Sequence, residues 1–233
     1  MNIELLESAA VALGELVEDV MFVGGATIEL WLTDLGAVDI RPTLDVDVVV
    51  EVTSRLAFHN FEAELRRRGF AEDQASGVIC RWRHSGHDLT LDAMPARAEI
   101  LGFENRWQAA ALPHAVRRDL PAGATIRAAS PPYLLAMKLE AFRGRGKGDF
   151  IASRDFEDIV TLLDRRPELI SEVQSADSKL RGFVADEVRR LLGERGYPDG
   201  VAAALPPDAA SQGRATEVIR PAFEALADLA PDG

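Results

Sequence analysis

The sequence lacks long apolar runs, and none approaches the roughly 20 residues that a membrane-spanning helix needs. The first residues, Met1 to Glu4, also lack the basic stretch and the apolar block of a secretory signal. These two absences argue against a membrane partner and predict a cytoplasmic protein.

Cysteine is almost missing, since Cys80 is the single one in the sequence. A disulfide within the chain is therefore impossible, and a cysteine-based metal cage is excluded. Cys80 lies between Ile79 and Arg81 in a strand-like stretch. This position predicts a half-buried thiol that packs rather than reacts.

Basic residues are too few to balance the acidic ones: 26 Lys and Arg face 38 Asp and Glu, and the formal net charge is -12. Broad binding to nucleic acid depends on Lys and Arg that replace counterions on phosphates, so this charge argues against it. A polyanionic partner must then meet a local basic patch. The best candidate is the segment that holds Arg143, Arg145, Lys147 and Arg154, whereas Arg66 to Arg68 is typical of a solvated helix end.

The first half of the chain has patterns typical of a small mixed sheet with helices. The hydrophobic fraction of 47% allows a sizeable core. Apolar residues at helical spacing predict helices, and runs of β-branched residues predict strands. The predicted elements are a helix over 3–18, a strand over 21–23, a helix over 26–35, a strand over 44–52, a helix from Ser54 to Arg68, a hairpin of strands over 78–83 and 88–93, and a strand over 125–128.

Beyond residue 128 the patterns are helical. Ser-Pro-Pro is a typical helix start, and glycine-rich stretches separate the helices. The predicted helices cover 131–143, 154–163 and 215–229, with a loop over 144–148. We therefore expect a mixed α/β domain over residues 1–128 and a helical region over residues 129–233 that completes the active-site cleft.

Acidic side chains mark the predicted strand over 44–52. Successive side chains of a strand point to opposite faces, so Asp45 and Asp47 share one face. Like charges so close repel unless a cation lies between them, and carboxylate oxygens suit Mg²⁺. Asp92 ends the stretch that begins at Asp88, and an adjacent antiparallel strand would bring it to the same edge. Three carboxylates can hold two metal ions about 4 Å apart. The alternative is that Asp45 and Asp47 are two solvated residues on an exposed strand face, where Asp-x-Asp is also common.

A Gly24-Gly25 pair joins a predicted strand to a predicted helix just upstream. Without side chains there, backbone N–H groups can approach phosphate oxygens, and a helix N-terminus adds positive potential. The pair predicts a cradle for a triphosphate, although tight turns also use Gly-Gly freely. The order of the features favours the cradle: strand, Gly-Gly, helix, Asp-x-Asp on a strand, then a third Asp on a later strand.

Four short motifs resemble a known family. The runs Phe22 to Thr27 (FVGGAT) and Arg41 to Asp47 (RPTLDVD) resemble the first motif of the AbiEii/AbiGii-type nucleotidyltransferases, within the DNA polymerase β-like superfamily. The runs Lys138 to Arg143 (KLEAFR) and Ser153 to Ile159 (SRDFEDI) resemble the later Lys and Arg-Asp-x-x-Asp motifs of that family. The resemblance spans about residues 20 to 165 and implies a polymerase-β-like core followed by helices.

The resemblance also implies roles for three residues in the helical part. Lys138 would contact the nucleotide phosphates and take part in catalysis, and Asp155 and Asp158 would position it or the acceptor. The residues agree in part, because Asp155 and Asp158 are three apart on a predicted helix and a Lys can pair with either. The alternative is a structural salt bridge between two helices.

Further candidates for phosphate contact lie near the two first motifs. Many relatives have Ser or Thr directly after the glycines, but this chain has Ala26, so a hydroxyl contact would fall to Thr27. Arg41 and Arg154 could neutralise phosphate charge, although an exposed Arg beside an Asp is common.

The sequence as a whole predicts a Mg²⁺-dependent enzyme that moves a nucleoside monophosphate from an NTP to an acceptor hydroxyl. Asp45 and Asp47 would bind the metal, Asp92 would be the third ligand and the base, and catalysis would rest on positioning and electrostatics. The family resemblance implies a toxin with a cognate antitoxin, acting on tRNA 3′ ends. The alternatives are a small-molecule acceptor such as an antibiotic, a protein acceptor, or a non-catalytic member that only binds a partner.

Overall fold

The chain forms two compact units, as seen in a computed structural model that describes residues 2–34, 40–102, 105–146 and 148–229. The first unit comprises Met1–Leu30 and Ile40–Ser130, and the second comprises Trp31–Asp39 and Pro131–Gly233. The stretch between the Gly-Gly motif and the Asp-x-Asp motif therefore belongs in part to the second unit.

A mixed sheet organises the first unit. Its strands are β1 (Val20–Val23), β2 (Val46–Val50), β3 (Phe70–Glu72), β4 (Arg81–His84), β5 (Leu89–Pro95), β6 (Val116–Asp119) and β7 (Thr125–Ala128). In the described part of the chain they lie in the order β3-β4-β5-β2-β1-β7-β6. The central pairs β2 with β5 and β1 with β7 are parallel, whereas all other neighbours are antiparallel. The predicted α/β (α+β) fold class is confirmed.

Short helices accompany this sheet. They are α1 (Asn2–Leu13), α2 (Arg55–Arg67), α3 (Ala98–Leu101) and α4 (Arg106–Ala111), with 3₁₀ segments at Gly14–Asp19, Gly25–Trp31 and Leu112–His114. The predicted cap of α2 is confirmed, because the Ser54 hydroxyl accepts a hydrogen bond from the Ala57 N–H at 3.1 Å.

The core of the first unit lies along β1 and β2. Met21, Phe22 and Val48 have no exposed surface, as is usual for central strands that are covered on both faces. Helix α1 packs against β2 and β5, and its Leu6 and Leu13 are fully buried. Two consecutive apolar runs thus fix the middle of the sheet, from which the site is built.

Helices make up the described part of the second unit beyond residue 130. They are α5 (Pro131–Arg145), α6 (Arg154–Arg165), α7 (Leu169–Gln174), α8 (Ser178–Leu192), α9 (Tyr197–Ala203), α10 (Ala209–Arg214) and α11 (Arg220–Ala227), with a π-helical turn at Ala215–Ile219. Among the helices described in either unit, none is both long and apolar enough to cross a bilayer.

Aromatic rings form the core of the second unit. Phe156 lies at the centre and has ring neighbours at centroid distances of 4.9 Å (Phe150), 5.3 Å (Phe142), 6.3 Å (Tyr197) and 6.4 Å (Phe223). Such edge and offset contacts add to the free energy gained by burying the rings. They tie α5, α6, α9 and α11 together.

Several sequence predictions need correction in the first unit. Strands β3 and β6 were not predicted, because both are short and mostly exposed and so lack an apolar alternation. The helix predicted over 26–35 is the 3₁₀ segment Gly25–Trp31, and Leu35 lies outside the described residues. Asp92 lies within β5 rather than at its end, and β5 runs parallel to β2 rather than antiparallel.

The helical unit also differs from the prediction in two places. The loop predicted over 144–148 begins later, because α5 continues to Arg145, whose side chain is bonded to Asp155; Lys147 lies outside the described residues. The helix predicted over 215–229 begins as a π-helical turn, and Pro221, which has no N–H to donate, lies in the first turn of α11.

A pair of helical glycines provides a test of this packing. At Gly200 a Cβ would lie 2.5 Å from Phe150 Cβ and 2.9 Å from Phe156 Cε1, whereas at Gly182 nothing lies within 4 Å. Gly200→Ala should therefore lower the free energy of unfolding by about 1–3 kcal/mol through overpacking. Gly182→Ala should raise it by about 0.5–1 kcal/mol, because alanine favours the helix. Urea denaturation of both variants measures the difference, and equal effects would contradict the packing.

Candidate active site

The candidate site is built on the central strands of the first unit. In the parallel pair of β2 and β5, Asp47 lies directly beside Asp92. In the antiparallel pair of β1 and β2, Asp47 lies beside Val23, the last residue before the Gly-Gly motif. Asp45 lies just before β2. The sheet therefore brings the Gly-Gly motif and the carboxylates predicted from the sequence to one place.

Gly24 is held against the second acidic residue. Its φ is +77°, and a Cβ there would lie 1.9 Å from Asp47 Oδ2 and 2.7 Å from Asp47 Cγ. No other residue fits without moving the carboxylate, because the conformation and the space both require glycine. Gly24 and Gly25 are partly exposed, so their backbone is accessible to a ligand.

Thr27 holds the turn that contains Gly24. Its hydroxyl donates to the Gly24 carbonyl oxygen at 2.9 Å, its N–H approaches the same oxygen at 3.3 Å, and the residue is fully buried. A bond from residue i to residue i−3 is typical of a 3₁₀ turn, which explains why the predicted α-helix is not formed here. The hydroxyl that the sequence offered for a phosphate contact is thus engaged inside the protein.

The segment before Asp45 is positioned by a residue that sequence reasoning missed. The side chain of Asn2 donates to the Arg41 carbonyl oxygen at 3.1 Å and accepts from the Thr43 N–H at 3.0 Å. Asn2 is buried, so these bonds replace bonds to water. Nothing local in the sequence indicates this contact, since 39 and 41 residues separate the partners.

Arg81 lies among the acidic side chains and was also missed as a site residue. It is paired with Asp92 across β4 and β5, and its Nε and Nη2 donate to the two oxygens of Asp92 at 2.8 and 2.7 Å. The same Nη2 donates to Asp45 Oδ2 at 2.7 Å. The hydrogen bonds to Asp92, together with the charges of Asp92, Asp45 and Asp47, raise the pKa of Arg81. One guanidinium thus serves two carboxylates directly.

The carboxylates of Asp45, Asp47 and Asp92 fit Mg²⁺ by their chemistry. Hard oxygen ligands from two or three Asp side chains are what this ion prefers. In the described part of the chain, however, no three acidic, His or Cys side chains are arranged to hold a metal ion. A site formed by Asp45, Asp47 and Asp92 would require Arg81 to move away from Asp92.

Cys80 adds no ligand to this site. It is buried rather than half-buried as predicted, and burial together with the charge of Asp92 raises the pKa of its thiol to about 12. The thiol is therefore neutral at physiological pH, as expected for a residue that packs rather than reacts.

A second charged cluster lies in the helical unit. Lys138 Nζ on α5 lies 2.5 Å from Asp158 Oδ2 and 3.4 Å from Asp155 Oδ1 on α6. Arg145 donates to both oxygens of Asp155 at 2.8 and 2.9 Å. Lys138, Asp155 and Asp158 are all buried. The structure therefore contains the interhelical salt bridge that the sequence left as an alternative role for Lys138, and it adds Arg145.

The ionic state of Asp155 follows from these partners. Burial alone would raise the pKa of its carboxyl, but the hydrogen bonds from Arg145 and the charge of Lys138 outweigh burial and hold the pKa below its ordinary value. Asp155 is therefore a carboxylate at neutral pH and helps to fix α5 against α6.

The basic patch predicted around Arg143 is partly neutralised within its unit. Arg143 donates to Glu187 at 2.7 Å, and Arg145 is bonded to Asp155, while Arg154 is exposed. Because paired guanidinium groups contribute less positive potential, this segment offers little attraction to a long polyanion.

Comparison with known proteins identifies the family. A family model described as "Nucleotidyl transferase AbiEii toxin, Type IV TA system" matches residues 5–230. Two solved structures cover 98% of the chain at 11% identity: JHP933 from Helicobacter pylori (89% of that chain, TM-score 0.45) and a "putative nucleotidyltransferase" from H. pylori (91% of that chain, TM-score 0.43). No curated protein matches the chain in sequence. Because the family match extends over nearly the whole sequence, the chain belongs to the AbiEii nucleotidyl transferase toxin family of Type IV toxin–antitoxin systems.

Proposed function

We propose that this nucleotidyltransferase moves a nucleoside monophosphate from an NTP to an acceptor hydroxyl with Mg²⁺ bound at Asp45, Asp47 and Asp92. The observation that carries the proposal is the register of the sheet. It places Asp47 beside both Asp92 and the end of β1, where the Gly24 turn begins. A phosphate cradle and a set of carboxylates at one place are what transfer of a nucleotidyl group requires.

The Gly24-Gly25 turn is proposed to hold the triphosphate. Gly24 has a positive φ and is followed by the first residues of a 3₁₀ segment, and turns of this kind can direct backbone N–H groups towards an anion. Thr27 contributes by fixing the Gly24 carbonyl on the other side of the turn. Arg41, whose carbonyl oxygen accepts a hydrogen bond from Asn2, is proposed to neutralise phosphate charge.

The carboxylates are proposed to position the metal and the acceptor. When bound, Mg²⁺ would neutralise the triphosphate and lower the pKa of the attacking hydroxyl. Asp45 and Asp47 are the first ligands in this proposal because both are partly exposed. Asp92 is the third ligand and the base, a role that becomes available once its two oxygens are released from Arg81.

Lys138, with Asp155 and Asp158, is proposed from the family resemblance to steady the phosphate charge. Its ammonium group lies within reach of two carboxylates, which orient it. Arg145 supports this arrangement, because it supplies a second cation to Asp155 and leaves Lys138 less tightly held by that residue.

The acceptor is proposed to be the 3′ end of tRNA, and a cognate antitoxin is the proposed protein partner. The match to a toxin family of Type IV toxin–antitoxin systems supports the antitoxin, and the tRNA acceptor is proposed from the family resemblance of the motifs alone. A net charge of -12 disfavours a long nucleic-acid footprint, so recognition would be confined to a few terminal nucleotides. The same charge favours the alternative of a small-molecule acceptor such as an antibiotic, and a protein acceptor or a non-catalytic, partner-binding role are the remaining alternatives.

Removal of the first two acids tests the proposed chemistry. Purified protein is incubated with Mg²⁺, each labelled NTP in turn and total tRNA, beside Asp45→Ala/Asp47→Ala. Transfer should fall by about 1,000-fold or more, because a bound metal supplies several kcal/mol of transition-state stabilisation. Asp119→Ala, which removes an exposed acid from β6 of the same sheet, should retain activity. Transfer that survives the double substitution would disprove the assigned site, and NTP binding without transfer would favour another acceptor or a non-catalytic role.

The close approach of Gly24 to Asp47 provides a second test. Gly24→Ala should reduce transfer at least about 100-fold, because the new Cβ displaces the Asp47 carboxylate by an ångström or more. Gly77→Ala is the matched control, since Gly77 has a φ of +70° and no atom within 4 Å of a Cβ. Both variants should lose about 1 kcal/mol of stability from the left-handed conformation. Equal activity in the two variants would show that the contact with Asp47 has no catalytic role.

The lowered pKa of Asp155 predicts a pH dependence of stability. A carboxyl whose folded pKa lies below the ordinary 3.8 stabilises the protein above that value, and the contribution is lost as the pH falls through the folded pKa. Asp155→Asn should therefore be less stable than wild type at neutral pH, and the difference should shrink below about pH 4 in urea denaturation. Asp186→Asn, which breaks an exposed pair with Arg189, is the control and should change little. Unchanged stability with lost transfer would instead assign Asp155 to catalysis.

A further inference from the structure

Arg81 contacts the carboxylates that are proposed to bind the metal, and the proposed function does not explain why an arginine lies there. Its Nη2 lies 2.7 Å from Asp45 Oδ2 and 2.7 Å from Asp92 Oδ2. A cation that bridged these two oxygens would occupy the same position. The guanidinium nitrogen therefore fills the place that an ion shared by Asp45 and Asp92 would take.

We propose that Arg81 is a built-in counter-cation that competes with a divalent metal for Asp45 and Asp92, so that metal binding requires the guanidinium to leave. The identity of the metal site rests on the proposed function. The role of Arg81 is that of a positioning residue, because in this proposal it acts through the carboxylates and touches neither substrate nor metal.

The limited exposure of Asp45 and Asp92 is the physical reason why Arg81 and a metal ion would compete for them. The side chain of Asp92 is 10% exposed and that of Asp45 is 32% exposed. Two carboxylates of this kind, with Asp47 beside them, repel each other strongly unless a positive charge lies between them. Arg81 supplies this charge in the absence of metal, and adding a divalent ion while the guanidinium stays would place two cations on the same oxygens.

The side chain of Arg81 is also able to leave. Its backbone is fixed in the β4–β5 pair opposite Asp92, but the side chain is long, flexible and 22% exposed. Rotation about its methylene groups would move the guanidinium outward without any change in the sheet. Release and return are therefore side-chain events, which do not disturb the register that positions Asp47 and Asp92.

Arg83 offers a matched comparison on the same strand. It lies two residues beyond Arg81, hence on the same face of β4, and carries the same charge. It is bonded to Asp73 at 2.7 Å instead of to the carboxylates of the site. Replacing either arginine with a neutral residue therefore removes one positive charge near the site. Of the two, only Arg81 contacts the carboxylates that would bind the metal.

The test measures Mn²⁺ binding without nucleotide, by electron paramagnetic resonance of free Mn²⁺, for wild type, Arg81→Gln and Arg83→Gln. Arg81→Gln should bind Mn²⁺ roughly tenfold more tightly than wild type, within the usual range of coupling between two ligands of one site. Arg83→Gln should stay within about twofold of wild type. Asp45→Ala/Asp47→Ala should abolish the binding and so locate it.

The outcomes separate this inference from the proposed function. Equal or weaker Mn²⁺ binding by Arg81→Gln, with binding still lost in the double Asp variant, overturns the inference and leaves the metal site standing. Absence of Mn²⁺ binding in wild type and Arg81→Gln alike overturns both. If Arg81→Gln does not unfold cooperatively, Arg81→Lys decides: it keeps the charge but loses the two-nitrogen contact with Asp92, so a several-fold gain in affinity is expected and no gain overturns the inference.

Discussion

The side-by-side placement of Asp47 and Asp92 is the constraint on which the site depends. The two residues are neighbours because β2 and β5 pair in parallel, and this pairing is fixed by apolar side chains buried on both sides of the acids. The core therefore holds like charges together at a cost in free energy that must be offset nearby. Arg81 offsets it in this structure, and a metal ion would do so in the proposed reaction.

The glycine motif is bound to the same constraint. The sequence suggested that Gly24 lets a phosphate approach the backbone N–H groups. The structure shows a second reason, because the Asp47 carboxylate already excludes a side chain at that position. The carboxylate and the turn are thus mutually fitted before any ligand arrives. Thr27 completes the turn from inside, and Asn2 fixes the chain that leads to Asp45. Pre-organisation of this kind reduces the entropy lost when a substrate binds.

The sequence predicts the parts of the site that are coded locally. β1, β2 and the cap of α2 follow from apolar runs and from Ser54, and the family resemblance is confirmed by the family match. The parallel pairing of β5 with β2 and the contacts of Asn2 could not be predicted from the sequence, because both depend on residues far apart in the chain. Arg81 lies between these cases: the hairpin was predicted, but the contact depends on its exact register, in which the loop over residues 85–88 places Arg81 opposite Asp92.

The distribution of charge also limits what the protein can bind. Many of its guanidinium groups are already bonded to carboxylates within a unit, as Arg81, Arg143 and Arg145 are. A polyanion would have to compete with these internal partners as well as with the net charge of -12. Long-range attraction therefore contributes little to the capture of an anionic substrate, and in the proposed reaction affinity would come from short-range contacts with a triphosphate and its metal. In the proposed reaction a metal-bound triphosphate brings a cation that would replace Arg81 at Asp92, whereas an extended phosphate backbone without a metal brings none. In that proposal the internal ion pairs would favour compact, metal-bound anions over extended ones.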